Sequence, residues 1–269
     1  MLVQRALTAN DSHPIIAGGG DGTINAVASA LVGGRRALGV LPLGTLNHFA
    51  RDLGIPTDLE AAVRTIFTGQ IARVDVGEVN GRMFLNNSSL GLYPRIVRNR
   101  ERLQRLGYPK WIAFAQAVAL VSGHYSTLRV RLRLDQEESL ARATPFVFIG
   151  NNRYEIAGLG IGARKQLNEG RLWLCMAPRR GRGWGYLIRT FLLALIGRLT
   201  LKDLNTLDAT NISIETDRKR LKVATDGEVN VMQSPLHYKI RPGALNVIVP
   251  IQKIQAGDGA AGGPMSGRA

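Results

Sequence analysis

Two stretches of this chain combine glycine with carboxylate in a way that suits phosphate chemistry. Gly18-Gly19-Gly20-Asp21-Gly22-Thr23 follows a short apolar run at residues 14–17, and Asp226-Gly227-Glu228 follows a strand expected at residues 221–225. Glycines let an anion come close to the backbone. A helix opening after them offers free N–H groups and the positive end of its dipole to phosphate. Asp21 would repel bare phosphate unless a cation bridges the two, so it suits a Mg2+–nucleotide or the transfer chemistry itself. In the later stretch, Asp226 could sit on a metal while Glu228 takes a hydroxyl proton. Asp-Gly is equally a common hairpin turn, and both readings stay open. The pattern GxxxxGK[ST] is absent and no GxGxxG follows a strand, its one match, residues 257–262, lying in the glycine-rich tail, which counts against P-loop and Rossmann dinucleotide sites.

Leu41-Pro42-Leu43-Gly44-Thr45-Leu46-Asn47 forms a second turn of the same kind. Adjacent strands of a parallel sheet deliver their C-terminal turns to one edge, so Thr45 and Asn47 can share a crevice with Asp21. Thr45 could hydrogen-bond a phosphate, while Asn47 either caps the next helix or touches substrate.

The elements that must hold these turns come next. Ile24, Val27, Ala28 and Leu31 recur at i, i+3, i+4 and i+7, the spacing of a helix with one buried face. A strand at 37–43, a helix at 46–53 and another at 57–69 complete a strand–helix alternation, which implies a doubly wound parallel sheet. Beyond residue 75 the period becomes two. Leu128, Val130, Leu132 and Leu134 alternate with Arg129, Arg131, Arg133 and Asp135, a strand with one buried and one basic face. Further strands are expected at 84–87, 146–149, 171–177, 211–215, 221–225 and 245–250. Two helices are expected at 95–121 and 184–200, and the second lobe should be a β-sandwich or barrel-like domain. The glycine-rich tail, 255–269, reads as disordered.

The chain has 269 residues with 35 Lys plus Arg against 20 Asp plus Glu, a net charge of +15. At 45% hydrophobic and 20% charged it has a globular composition. A single cysteine, Cys175, excludes a disulfide framework. No apolar leader is visible at the N-terminus, and the richest apolar stretch, 191–197, falls far short of the roughly 20 residues that span a bilayer. A cytoplasmic location is expected. Residues 1–75 carry six basic and six acidic side chains, while 76–235 carry 25 and 13. Such a basic half attracts nucleic acid or anionic lipid headgroups. No RNA-binding aromatic signature or helix-turn-helix pattern is present, so nucleic acid is not the expected partner. Arg95, Arg98, Arg102 and Arg105 would line one side of a helix beside Tyr108 and Trp111, a combination that suits anionic headgroups at a membrane surface. Tyr186, Leu187, Phe191, Leu192 and Leu195 could be core or line an acyl-chain groove.

GGGDGTINAV, LGVLPLGTLNHFARDLGIP, FLNNSSLGL, the late DGE and the closing PGALNVIVP together resemble the diacylglycerol kinase catalytic-domain family. Within it the chain is most similar to the soluble bacterial lipid kinases of the YegS type. The resemblance runs from about residue 13 to residue 250. It implies a two-lobed NAD kinase/diacylglycerol kinase-like fold. Residues 1–75 with 240–254 would form an α/β nucleotide-binding lobe, and 76–239 a β-sandwich lobe for the lipid. It implies an ATP-dependent kinase that phosphorylates the hydroxyl of a diacylglycerol-like lipid, peripherally associated with the membrane, with a homodimer left open. ATP would rest on Gly18, Gly19, Gly20, Asp21, Gly22, Thr23, Ile24 and Asn25, with Thr45 and Asn47. Asp21 would join Glu228 in catalysis, Glu228 as the base. Asn168, Glu169 and Asp226 would be the residues for Mg2+.

Three departures from the family pattern stand out. His48 follows Asn47 where relatives carry Asp. Asn168-Glu169-Gly170 replaces a loop with a second acid. Relatives also carry an Asn-Pro-x-x-Gly turn on a strand–helix segment ahead of the glycine loop, and this sequence opens only about a dozen residues before that strand, less than half of the 30 or more of a βαβ unit. Either the start lies further upstream or the nucleotide floor is incomplete. Two alternatives therefore stay open: an NAD kinase-type phosphotransferase, or a non-catalytic lipid-binding relative that has lost ATP binding.

Overall fold

A computed structural model of the chain describes residues 13–91, 128–144, 146–157, 160–164, 166–176 and 205–251. The helices expected at 95–121 and 184–200, with the Arg95–Arg105 series, Tyr108, Trp111 and the acyl-groove residues, lie outside the described residues, as does the tail.

The first lobe alternates strand and helix. Strand β1 (Ile15–Gly19) runs into helix α1 (Asp21–Leu31), which buries Ile24, Ala28 and Leu31. Strand β2 (Ala37–Pro42) lies parallel to β1, with Gly19 opposite Pro42, so both chains leave the sheet at one edge. Two helices follow: α2 (His48–Asp52) and α3 (Leu59–Thr68). The Asp58 carboxylate accepts the Ala61 amide at 2.9 Å and caps α3, an interaction that stabilises a helix by about 1 kcal/mol. The expected helix at 46–53 is shorter because Asn47 adopts a left-handed conformation, φ 49°, which ends the turn and delays the helix to His48.

Strand β3 (Gln70–Val79) is followed by β4 (Arg82–Phe84) and β5 (Asn87–Gly91). A single strand was expected at 84–87. The chain instead breaks at Leu85-Asn86, whose amides turn to the Asp226 carboxylate. Strands β6 (Leu128–Leu134), β7 (Leu140–Thr144), β8 (Phe146–Asn151), β9 (Tyr154–Ala157), β10 (Gly160–Arg164) and β11 (Leu172–Met176) follow. The last are β12 (Asn205–Ala209), β13 (Asn211–Thr216), β14 (Arg220–Thr225), β15 (Glu228–Gln233) and β16 (Leu236–Val249). The alternation read in β6 holds: its leucines and valine are buried and its three arginines exposed.

Strands β1-β2-β16-β13-β6-β7 form one sheet, with β3 pairing β16 and carrying β4. Strands β12-β11-β8-β5-β14-β15 form the other. Their facing sides enclose one apolar core, in which Leu132, Ile212 and Tyr238 of the first sheet meet Val147, Ile149, Leu174 and Val223 of the second. The second lobe is thus a β-sandwich. A separate core under α1 gathers Ile24, Leu31, Leu38, Val40, Phe49, Val74, Leu245 and Val247. The chain thus joins an α/β lobe to an all-β lobe, the two-lobed arrangement that the resemblance implies.

Both lobes are threaded by β3 and β16, which run antiparallel with a register shift between Arg241 and Leu245. Before the shift β16 pairs β13, and after it β16 lies parallel to β2, with Asn246 opposite Ala37. Gly243 holds φ 54° in the bulge. Buried Asp75 pins this point, accepting the amides of Gly243 and Gly170 at 2.7 Å each. No described helix is long and apolar enough to cross a membrane.

Candidate active site

The two glycine turns meet backbone to backbone. The Leu43 amide donates to the Gly19 carbonyl at 3.0 Å, and a Cβ on Gly44 would run into the Gly20 Cα. Only glycine at residue 44 allows this approach, whereas a Cβ on Gly20 would stand 3.4 Å from the Gly44 Cα. The Asn47 side chain braces the second turn from within, its amide group donating to the carbonyls of Pro42 at 3.0 Å and Gly44 at 2.7 Å. Its Oδ1 accepts the Gly44 amide at 2.9 Å. Asn47 therefore precedes α2 without capping it through its side chain, and it is buried.

The cap comes from the other loop. The Asp21 carboxylate accepts the amides of His48 and Phe49, each at 3.2 Å. A carboxylate at a helix N-terminus satisfies donors that have no intrahelical partner. Asp21, expected in catalysis, is thus occupied in tying the two loops together, a positioning duty. Helix α1 itself starts at Gly20 with no side-chain cap, so the first amides of an eleven-residue helix face the loop mouth. That geometry fits a nucleotide phosphate. Gly18, Gly22, Thr23 and Thr45 are exposed there, and Asn25 is half-buried with its Oδ1 accepting the Ser29 hydroxyl at 3.2 Å. Ile24 differs from expectation, because its side chain belongs to the core.

Glu228 comes to this mouth from the second lobe. Its Oε1 lies 3.8 Å from where a Cβ on Gly22 would stand. Thr225 pairs Glu228 across the β14–β15 hairpin, whose two-residue turn, Asp226-Gly227, has φ 47° and 86°. Positive φ at both central positions is the type I′ pattern that matches strand twist. The Glu228 carboxylate accepts from Arg82 Nη2 at 2.5 Å, and Arg82 Nε donates to the Thr225 hydroxyl at 3.1 Å. Nothing in the local spacing of Arg82 announces this role, since its partner is 146 residues away.

Asp226 points inward instead of to the mouth. Its carboxylate accepts amides from Leu85 at 2.7 Å, Asn86 at 2.8 Å and Asn87 at 3.0 Å. Burial holds its carboxyl above the ordinary aspartate value, against the pull of those three amides and the Arg164 cation. Asn168 and Glu169 are exposed on a loop held by Asp75, and Glu169 Oε2 accepts the Arg153 amide at 3.4 Å. Among the described residues no three His, Cys, Asp or Glu side chains gather round a point. The set Asn168, Glu169 and Asp226 therefore does not fit a magnesium site, because its one inward carboxylate already carries three amides.

Arg164 is a further residue that local patterns do not announce. Its guanidinium is fully buried and its Nε donates to Asp52 at 2.7 Å, the aspartate side chain being 6% exposed. Nη1 donates to the carbonyls of Leu85 at 2.6 Å and Asn151 at 3.0 Å, and Nη2 to Asn86 Oδ1 at 2.8 Å. The guanidinium stacks over Tyr154 at 5.3 Å. A separate cavity of about 270 Å³, lined by Glu78, Arg133, Asp135, His237 and Lys239 among others, opens elsewhere on the first sheet and shares no residue with this site.

The chain is similar to known proteins over most of its length. Residues 2–79 match the family described as diacylglycerol kinase catalytic domain, and 93–249 match the YegS C-terminal NAD kinase beta sandwich-like domain. A Pseudomonas aeruginosa protein named "Probable lipid kinase YegS-like" is 32% identical over 264 residues, covering 93% of this chain and 80% of that protein. A Klebsiella pneumoniae protein of the same name is 49% identical over 99 residues, which is 36% of this chain and 33% of its own length. Among solved structures, a diacylglycerol kinase from Bacillus anthracis superposes with a TM-score of 0.64 at 22% identity, covering 91% of this chain and 79% of that one.

Proposed function

Because the chain belongs to the diacylglycerol kinase catalytic-domain family and is a kinase-type phosphotransferase, we propose that it transfers the γ-phosphate of ATP to the hydroxyl of a diacylglycerol-like lipid. The observation that carries this reading is the meeting of Glu228 with Gly22 at the open start of α1. A phosphate-binding loop and a carboxylate base then share one mouth.

The triphosphate lies along the glycine loop, its charge met by loop amides and the dipole of α1. Thr45 and Thr23 stand exposed beside it as hydroxyl donors. The lipid oxygen attacks the γ-phosphorus while its proton passes to the Glu228 carboxylate. The bond from the γ-phosphorus to the β–γ bridging oxygen breaks, and ADP leaves with that electron pair. Arg82 orients Glu228 and adds a cation beside the transferring group, where most of the catalysis of such reactions resides. Asp21 contributes through the loops it ties.

The basic second lobe supports an approach to a membrane surface. Arg129, Arg131 and Arg133 project from one face of β6, and among the described residues only Arg131 of the three has an acid partner, Glu215 at 3.5 Å. Each cation near an anionic bilayer adds roughly 1 kcal/mol.

The test is transfer of label from γ-labelled ATP to a panel of lipids in mixed micelles, with NAD as a soluble control acceptor. Labelled lipid supports the reading. Labelled NAD without lipid product overturns it, and so does vesicle binding with no transfer at all.

A further inference from the structure

The lipid kinase reading needs the two walls of the site at a fixed separation, and the fold contains a continuous chain of hydrogen bonds between them. Asp21, on the glycine loop, holds the N-terminal amides of α2. Asp52 closes the same five-residue helix, about 7.5 Å long at 1.5 Å per residue, and pairs with Arg164 on β10. Arg164 grips the Leu85 carbonyl and the Asn86 side chain. The amides of Leu85 and Asn86 are in turn held by Asp226, which is joined through Gly227 to Glu228.

We propose that Arg164, paired with Asp52, is the positioning residue that sets the distance between the nucleotide loop and Glu228. Arg164 is neither in the glycine loop nor beside the reacting group. A guanidinium suits the task because its donors are fixed in one plane, and here Nε, Nη1 and Nη2 address three different segments. A lysine has the charge without the fork. A buried ion pair is often replaceable by apolar side chains without loss of stability, so a pair set between the two lobes points to geometry.

The experiment compares wild type with Arg164→Lys, Asp52→Asn and the double variant Arg164→Met/Asp52→Leu. The double variant removes both charges together but leaves the Leu85 and Asn151 carbonyls and Asn86 Oδ1 without their donor, so its thermal midpoint should fall and kcat is read per folded enzyme below the onset of unfolding. That kcat should fall about 100-fold, the cost of an ångström-scale misplacement. KM for ATP should change less than threefold, because the nucleotide loop lies wholly on the first lobe. Arg164→Lys should not rescue kcat, and Asp52→Asn, which keeps one acceptor for Nε, should fall between. A double variant with wild-type kcat would overturn the proposal.

A second readout does not depend on catalysis. Spin labels at Leu46→Cys and Val231→Cys, both exposed positions, report the distance between the lobes. Cys175 is buried and stays unlabelled. A single narrow distance in the parent that broadens in the double variant supports the proposal, and an unchanged distribution overturns it. Should wild type transfer no phosphate, the kinase reading fails while the distance measurement still decides the role of Arg164.

Discussion

Glu228 and Gly22 face one another across the join between the lobes, with Oε1 of the glutamate 3.8 Å from where a Cβ on the glycine would stand. A Cβ at residue 22 would meet that oxygen in ordinary van der Waals contact, so the start of α1 and the glutamate line the same mouth.

Replacing Glu228 with Gln keeps the shape and the contact with Arg82 and removes the proton acceptor. The glutamate side chain is 60% exposed, so folding should be unaffected. Turnover should fall about 10²- to 10⁴-fold with ATP binding preserved, the loss expected for a missing general base. Steady-state kinetics beside an ATP-dependent thermal shift would show it.

Asp21 distinguishes positioning from direct charge chemistry. Asp21→Ala strands the His48 and Phe49 amides and should lower stability by about 1 kcal/mol along with ATP affinity. Asp21→Asn keeps an acceptor and should retain most of the turnover. A collapse of kcat in the Asn variant at unchanged stability would instead put the Asp21 charge on the phosphate.

Gly44→Ala tests the contact between the loops. Its methyl would strike the Gly20 Cα and lie 2.7 Å from Asn47 Oδ1, so the turns must separate. A destabilisation of about 1–3 kcal/mol and a marked loss of ATP affinity are expected, measurable by denaturant titration and calorimetry.

Glu78 gives the fold a dependence on acid. Burial alone would raise its carboxyl, but hydrogen bonds from Arg241 and Lys239 and their charges outweigh it and hold the group below the ordinary value of 4.5. A lowered acid stabilises the fold above that value and loses the contribution as pH falls through the folded one. Thermal midpoints should therefore drop below about pH 4.5. In Glu78→Gln, midpoints near neutral pH should be lower and the acid-side slope shallower.

Much of the first lobe, and strand β6 of the second, was legible because the signals are local. The Ile24–Ala28–Leu31 face of α1 and the alternation of β6 each depend on neighbours within one element. Both glycine turns and the acidic pair could be found for the same reason. What escaped was partnership over distance. Asp52 and Arg164 are 112 residues apart, Arg82 and Glu228 146, and Asp75 and Gly243 168. No periodicity encodes such pairs. Asp226 was read as a metal ligand because a carboxylate at a strand end has that chemistry, yet the chain break at Leu85-Asn86 supplies amides that claim it first. Only the largely apolar second half of β16, 245–250, was expected; its first half carries the same signal as β6, Leu236, Tyr238 and Ile240 alternating with His237, Lys239 and Arg241, over a run of six residues.

A crystal structure with a non-hydrolysable ATP analogue would measure the shared mouth directly. The expected result is a terminal phosphate on the amides that open α1, with the Glu228 carboxylate facing its far side. An analogue seated away from Gly19–Gly22, or a Glu228 turned from the terminal phosphate, would contradict a common site for loop and base.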